Sequence, residues 1–183
     1  MDRKNATEAY VTQDNTATIK TINSLIAELG GKDGIVRVRA RKSLVNIGHA
    51  AVGPLVEALT SKREWLRWEA AKTLSQIGDS STTQALIGAL QDKMFDVRWL
   101  AAEGLIHIGN KAIKPLLEAV IKQPDSLWIR EGTHHVLHDL PESNLKELLK
   151  PVLRALEDIE PSLEVAIAAE AVLNLLTPTK RYY

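Results

Sequence analysis

The sequence predicts an all-α fold, a right-handed solenoid of about five antiparallel helix pairs, and three observations carry that prediction. The segment LRWEAAKTLSQIG, Leu66 to Gly78, returns thirty-one residues later as VRWLAAEGLIHIG, Val97 to Gly109. Both place apolar residues at helical spacing and close on a glycine. A second helical pattern, PLVEAL and its variants, separates the echoes along the chain. Paired helices with a period near thirty-one mark an α-solenoid, in which no pair buries both its apolar stripes without neighbours.

Taken in order, residues 1–17 are polar and aperiodic and read as an N-terminal tail. A single repeat domain then spans residues 18–176. Its first helices are SLIAEL, PLVEAL, ALIGAL, PLLEAV and PVLRAL, ending at Leu29, Leu59, Leu90, Val120 and Leu156. Pro54 and Pro115 are expected in the opening turns, where a missing N–H has no helical partner to lose. The second helices align on Arg37, Arg67, Arg98 and Arg130. Val36, Leu66, Val97 and Ile129 precede these arginines, and the small residues Ala40, Ala70, Ala101 and Thr133 follow three positions on. Leu44, Leu74, Leu105 and Leu137 follow at seven positions, then Ile47, Ile77, Ile108 and Leu140 at ten. Gly48, Gly78 and Gly109 are expected as helix-ending residues with positive φ. Ser61 with Glu64 reads as a capping box. The last pair, residues 145–176, has Ala166 at the arginine position and carries Glu157, Asp158, Glu160 and Glu164, so it reads as a C-terminal cap. Residues 177–183 read as a short tail, with Tyr182 and Tyr183 as its anchors.

The cadence D-x-x-V-R-x-x-A-A-x-x-L-x-x-I-G followed by P-L-x-x-A-L, as in DVRWLAAEGLIHIG and KPLLEAV, resembles the short HEAT-like repeats of phycobilisome lyases. The resemblance covers residues 18–176 and implies a fold rather than an activity. It also suggests an alternative function, a chromophore lyase or isomerase subunit. There a bilin or similar tetrapyrrole would stack on Trp68 and Trp99, and Arg39 and Lys72 would take its propionates. The deoxyhypusine hydroxylases, short HEAT-like proteins that resemble this chain, hold two irons through His-Glu pairs after the repeat arginine. The matching pairs here are Trp68-Glu69, Trp99-Leu100 and Glu131-Gly132, and none supplies an imidazole. Some DNA glycosylases built from HEAT-like repeats resemble the chain through groove tryptophans and an acid, which Trp99 and Glu103 echo.

Composition narrows these classes. Lys and Arg number 23, as do Asp and Glu, so the net charge is zero. Nucleic-acid and membrane surfaces favour a basic excess, so both are disfavoured as partners. Charge is uneven along the chain, with residues 1–75 carrying four more basic than acidic groups and the rest the reverse. There is no cysteine, which excludes disulfides, thiolate metal sites and a cysteine nucleophile. No signal-like or membrane-length apolar run occurs, and the expected location is cytoplasmic.

The expected function is a non-catalytic scaffold that binds another protein, with no cofactor. Its site is a concave groove lined by the second helices. Trp68 and Trp99 hold equivalent slots on consecutive helices and are expected side by side, about 10 Å apart. Arg39, Lys42, Lys72 and Glu69 lie towards the basic end, and Glu103 and His107 lie beyond Trp99. Tryptophan and arginine are favoured anchors of binding surfaces. The repeat arginines read as structural, donating to helix-end carbonyls or to acids such as Asp92 and Asp125. Glu131, His135 and His138 share one helix stripe and form a candidate divalent-metal set, with Glu103 and His107 on the preceding copy.

Overall fold

The structure, a computed structural model, describes residues 18–141, 144–158 and 161–176. The expected tails at 1–17 and 177–183, with Tyr182 and Tyr183, lie outside the described residues, as does Glu160.

Helices follow one another in five pairs and no strand intervenes among the described residues. The first pair is α1 (18–29) and α2 (Gly34–Ile47), followed by α3 (Val52–Ala58) with α4 (Glu64–Ile77). Next come α5 (Thr83–Ala89) with α6 (Phe95–Ile108) and α7 (Asn110–Lys122) with α8 (Leu127–Asp139). The last pair is α9 (Asn144–Leu156) and α10 (Pro161–Leu176). Second helices pack in succession, α2 on α4, α4 on α6 and α6 on α8, while α3, α5 and α7 back them. The chain is an α-solenoid of helix pairs.

The repeated positions build the core. Ala40, Ala70, Ala101 and Thr133 are fully buried where consecutive second helices meet, and their small volume lets the axes approach. Leu44, Leu74, Leu105 and Leu137 are also fully buried, each contributing about 2 kcal/mol through apolar burial. Thr133 departs from its alanine counterparts in one respect, because its Oγ1 is buried without a hydrogen-bond partner.

Gly48, Gly78 and Gly109 close α2, α4 and α6 with φ of 68°, 64° and 70°. Only Gly78 sits in the left-handed helical well, with ψ 23°. Gly48 and Gly109 have ψ of −130° and −140°, a region that a Cβ effectively closes to other residues.

Three local expectations are corrected. The Ser61–Glu64 capping box does not form: Arg63 is the N-cap of α4, and Ser61 Oγ accepts from the Arg63 N–H instead. Glu64 turns outward and pairs with Lys93 at 3.0 Å. Pro115 lies inside α7 rather than in its opening turn. In the two preceding copies a short 3-10 turn, Gly48–Ala51 or Ser80–Thr82, stands before the first helix; in α7 that turn is absorbed into one continuous helix starting at Asn110.

The third correction concerns the last pair. α10 packs on α7 and α9 and meets α8 where Arg130 Nη1 donates to Ser162 Oγ at 3.1 Å, while α9 takes the place beside α8. The second-helix layer therefore ends at α8. Ala166 supplies no arginine to tie α10 into that layer, and its buried stripe of Val165, Ala169 and Val172 meets α7 and α9 instead. Beside the acidic Glu164, α10 leaves Leu163, Ile167 and Leu175 exposed.

Candidate functional site

Each repeat arginine reaches back across the turn that opens its own helix. Nη1 of Arg37, Arg67, Arg98 and Arg130 donates to the carbonyl six residues earlier, on Gly31, Ser61, Asp92 and Pro124, at 3.0, 2.9, 2.9 and 2.5 Å. These bonds satisfy carbonyls that the preceding helix end leaves open. Arg67 also holds Asp92 through two bonds, of 2.6 and 3.0 Å. Burial pushes the Asp92 carboxyl up, but hydrogen bonds from Arg67 and the Met94 N–H outweigh it and hold the group below its ordinary range. The same hydrogen bond raises Arg67. Asp125, the other acid considered, has no such bond among the described residues.

Around α4 each aromatic ring has one of the protein's own cations beside it, although Trp65 remains 44% exposed. Trp65 and Trp68 stack one turn apart, with centroids 4.8 Å apart and planes at 15°. The Arg37 guanidinium lies 4.7 Å from the Trp65 ring, and Lys72 Nζ 4.6 Å from the Trp68 ring. Trp68 is half-buried against the core. Beneath them Glu69 is only 2% exposed. Its carboxylate meets Arg41 at 2.5 Å and Arg37 Nε at 3.4 Å, the latter close enough for charge attraction but not aligned for a hydrogen bond.

Around α6 the slot of Trp68 is open, because no lysine or arginine lies over Trp99 among the described residues. Trp99 is 48% exposed, Phe95 61% and Trp128 38%. They wall a cleft of about 210 Å³ together with Arg98, Ala102, Glu131, Gly132 and His135. Trp99 meets the His135 ring at 4.1 Å and Phe95 at 6.1 Å. Arg98 lies 4.8 Å from the Trp128 ring, as Arg37 lies on Trp65 two layers back. His135 Nε2 is buried and lies 3.3 Å from both Glu103 Oε1 and Asp139 Oδ2, without hydrogen-bond alignment to either. Glu131 is exposed and has no polar partner among the described residues.

Trp68 and Trp99 therefore belong to two different clusters, Trp68 to one sealed by Trp65 and Lys72 and Trp99 to the open cleft. Arg39 and Lys42 are exposed on α2, with no side-chain partner among the described residues. His107 sits in the last turn of α6, its ring packed over Gly78 at the end of α4, about two helical turns from Trp99. Glu131, His135 and His138 do not converge. Glu131 lines the cleft, His135 faces Trp99, and His138 bonds Asp139 at 2.7 Å while stacking on His134. No three such side chains gather as a metal set among the described residues. The His138 hydrogen bond holds the Asp139 carboxyl below its usual range, against a small opposing effect of burial. Phe95, Arg98, Ala102, Trp128 and Gly132 are the cleft residues outside the expected site. Phe95 was detectable as an aromatic one turn before Trp99.

Residues 22–96, which run from α1 into the first turn of α6, match the family model for HEAT repeats. That stretch is similar to HEAT repeats. Such repeats are commonly protein-interaction scaffolds. No curated protein matches the chain. Among the described residues, no helix is long and apolar enough to cross a membrane.

Proposed function

We propose that the chain is a non-catalytic scaffold that engages another protein along the edge formed by the N-terminal halves of α2, α4, α6 and α8. One observation carries the reading. Of the eleven exposed large apolar side chains among the described residues, seven, Ile35, Val38, Trp65, Phe95, Trp99, Leu127 and Trp128, lie on that edge; the others are Ile19 on α1 and Leu163, Ile167 and Leu175 on α10. The first helices α3, α5, α7 and α9 contribute none among the described residues. Scattered exposed apolar residues need no explanation, but a row of seven along one edge marks an interaction surface. Arg39, Lys42 and Lys72 flank the row at one end, and Glu103 and Glu131 at the other. Glu69 and His107 serve the fold in this reading, being covered by the two arginines and packed on Gly78. The cadence DVRWLAAEGLIHIG supports kinship with the phycobilisome-lyase type of short repeat, within one domain over 18–176.

The test places a photo-cross-linking side chain at Phe95, or at exposed Lys114 on α7 as a control, and irradiates the full chain in native lysate. A protein joined through position 95 and not through 114 is the expected result. Identical adducts from both positions, or none from 95, would refute the edge.

A further inference from the structure

We propose that the cleft between α6 and α8 takes the basic side chain of the partner protein, an arginine or a lysine. The proposal rests on the protein-binding reading of the edge and names the chemistry of one seat on it.

The repeat itself supplies the comparison. Trp68 and Trp99 occupy the same slot, one residue after the arginine, and four residues later come Lys72 and Glu103. Lys72 folds back over the Trp68 ring, so that indole is already paired with a cation. At Trp99 the corresponding residue is an acid. The Trp99 indole has His135 on one side and open space in the cleft on the other. A guest cation would supply to Trp99 what Lys72 supplies to Trp68.

Charge around the cleft favours the same guest. Glu131 lines it with a carboxylate that has no polar partner among the described residues, and Glu103 and Asp139 lie beyond the lining, each 3.3 Å from His135 Nε2. Arg98 is the opposing charge, but its Nη1 is held by the Asp92 and Lys93 carbonyls at 2.9 and 3.4 Å, which offset part of it. An acidic side chain would face Glu131 at close range. A neutral aromatic guest would cover the Glu131 carboxylate and leave it without a counter-charge. The walls are also suited to a guanidinium, because Arg98 already rests on Trp128 and Phe95 at 4.8 and 5.6 Å.

The experiment titrates the full chain with three Gly-Ser peptides, each with a single central arginine, glutamine or glutamate, and follows the four indole N–H signals by NMR. The arginine peptide is expected to move the Trp99 and Trp128 signals rather than those of Trp65 and Trp68. It should bind about threefold more tightly than the glutamine peptide, the size of an exposed cation–π contact. Glu131→Gln should weaken arginine binding about threefold, and raised salt should act in the same direction. Glu103→Lys, which installs the counterpart of Lys72 beside Trp99, should abolish the preference in a protein whose melting temperature shows it folded. Equal or tighter binding of the glutamate peptide, or arginine shifts confined to Trp65 and Trp68, would overturn the proposal. A partner cross-linked at Phe95 together with no arginine preference would leave the edge standing and remove this seat. An arginine preference without any cross-linked partner would do the reverse.

Discussion

The α4 and α6 copies are nearly the same line of sequence, yet one is closed and the other open. Around α4, Trp68 lies between Trp65 and Lys72, and Glu69 below them holds Arg37 and Arg41. Around α6, Leu100 stands where Glu69 was and Glu103 where Lys72 was, and Trp99 is left half exposed over a cleft. Asp96 also stands where Trp65 was, so three changes within one helix separate a structural cluster from an available surface. Equivalent repeat positions share a backbone location, but the charge of the neighbour four residues on decides whether an indole is covered or free.

The contrast can be tested through stability, beginning with its strongest element. Glu69→Ala leaves two largely buried guanidinium groups without their carboxylate, and urea unfolding should show a loss of about 3 kcal/mol. A loss no larger than that of a surface substitution would mean that water reaches the site. Trp68→Ala should lower stability by about 2 kcal/mol and Trp99→Ala by less than about 1 kcal/mol, because only the first indole is packed against the core. Equal losses would erase the distinction between closed and open clusters. Thr133→Ala restores the small residue of the other copies and removes a buried hydroxyl without a partner; a gain of about 1 kcal/mol is expected.

The last effect is nil at neutral pH and develops only in acid. Asp79 bridges the first turns of the array by accepting from the Ser81 N–H and pairing with His49, which lowers its carboxyl from 3.8 to about 2. Asp92 is lowered as well. A carboxyl depressed in the folded state contributes stability that is complete above its unfolded value, near 3.8, and is lost as pH falls towards about 2. Thermal unfolding followed between neutral pH and acid should therefore be flat until that window and then fall. Asp92→Asn should flatten part of the drop.

Most of the architecture was legible because the repeat writes its contacts at fixed intervals. The positions three and seven after each arginine are fully buried in all four copies, as helical spacing requires. The arginines were legible too, since a residue locked to the repeat rather than to one place serves the fold. The clusters were not. Whether Lys72 folds over Trp68, or His135 meets Trp99, depends on side-chain direction between neighbouring helices, which spacing alone does not specify. Gly132 adds to this: a Cβ there would come within 2.7 Å of Leu90, so the close approach of α8 to the end of α5 depends on one residue that periodicity passes over. The turned final pair was hidden for a related reason, because Val165, Ala169 and Val172 form an ordinary apolar stripe that suits either neighbour.

The reach of each arginine over six residues has a consequence for how this chain tolerates change in length. Successive arginines are thirty, thirty-one and thirty-two residues apart, yet the reach is constant in four copies and the closing glycine follows eleven residues later in three. Extra residues have entered only between that glycine and the next bonded carbonyl, in the stretch that holds the first helix of each pair. An insertion on the other side would turn the following helical face by about 100° and detach its arginine. One half of every unit is thus a fixed gauge, and the other absorbs the slack.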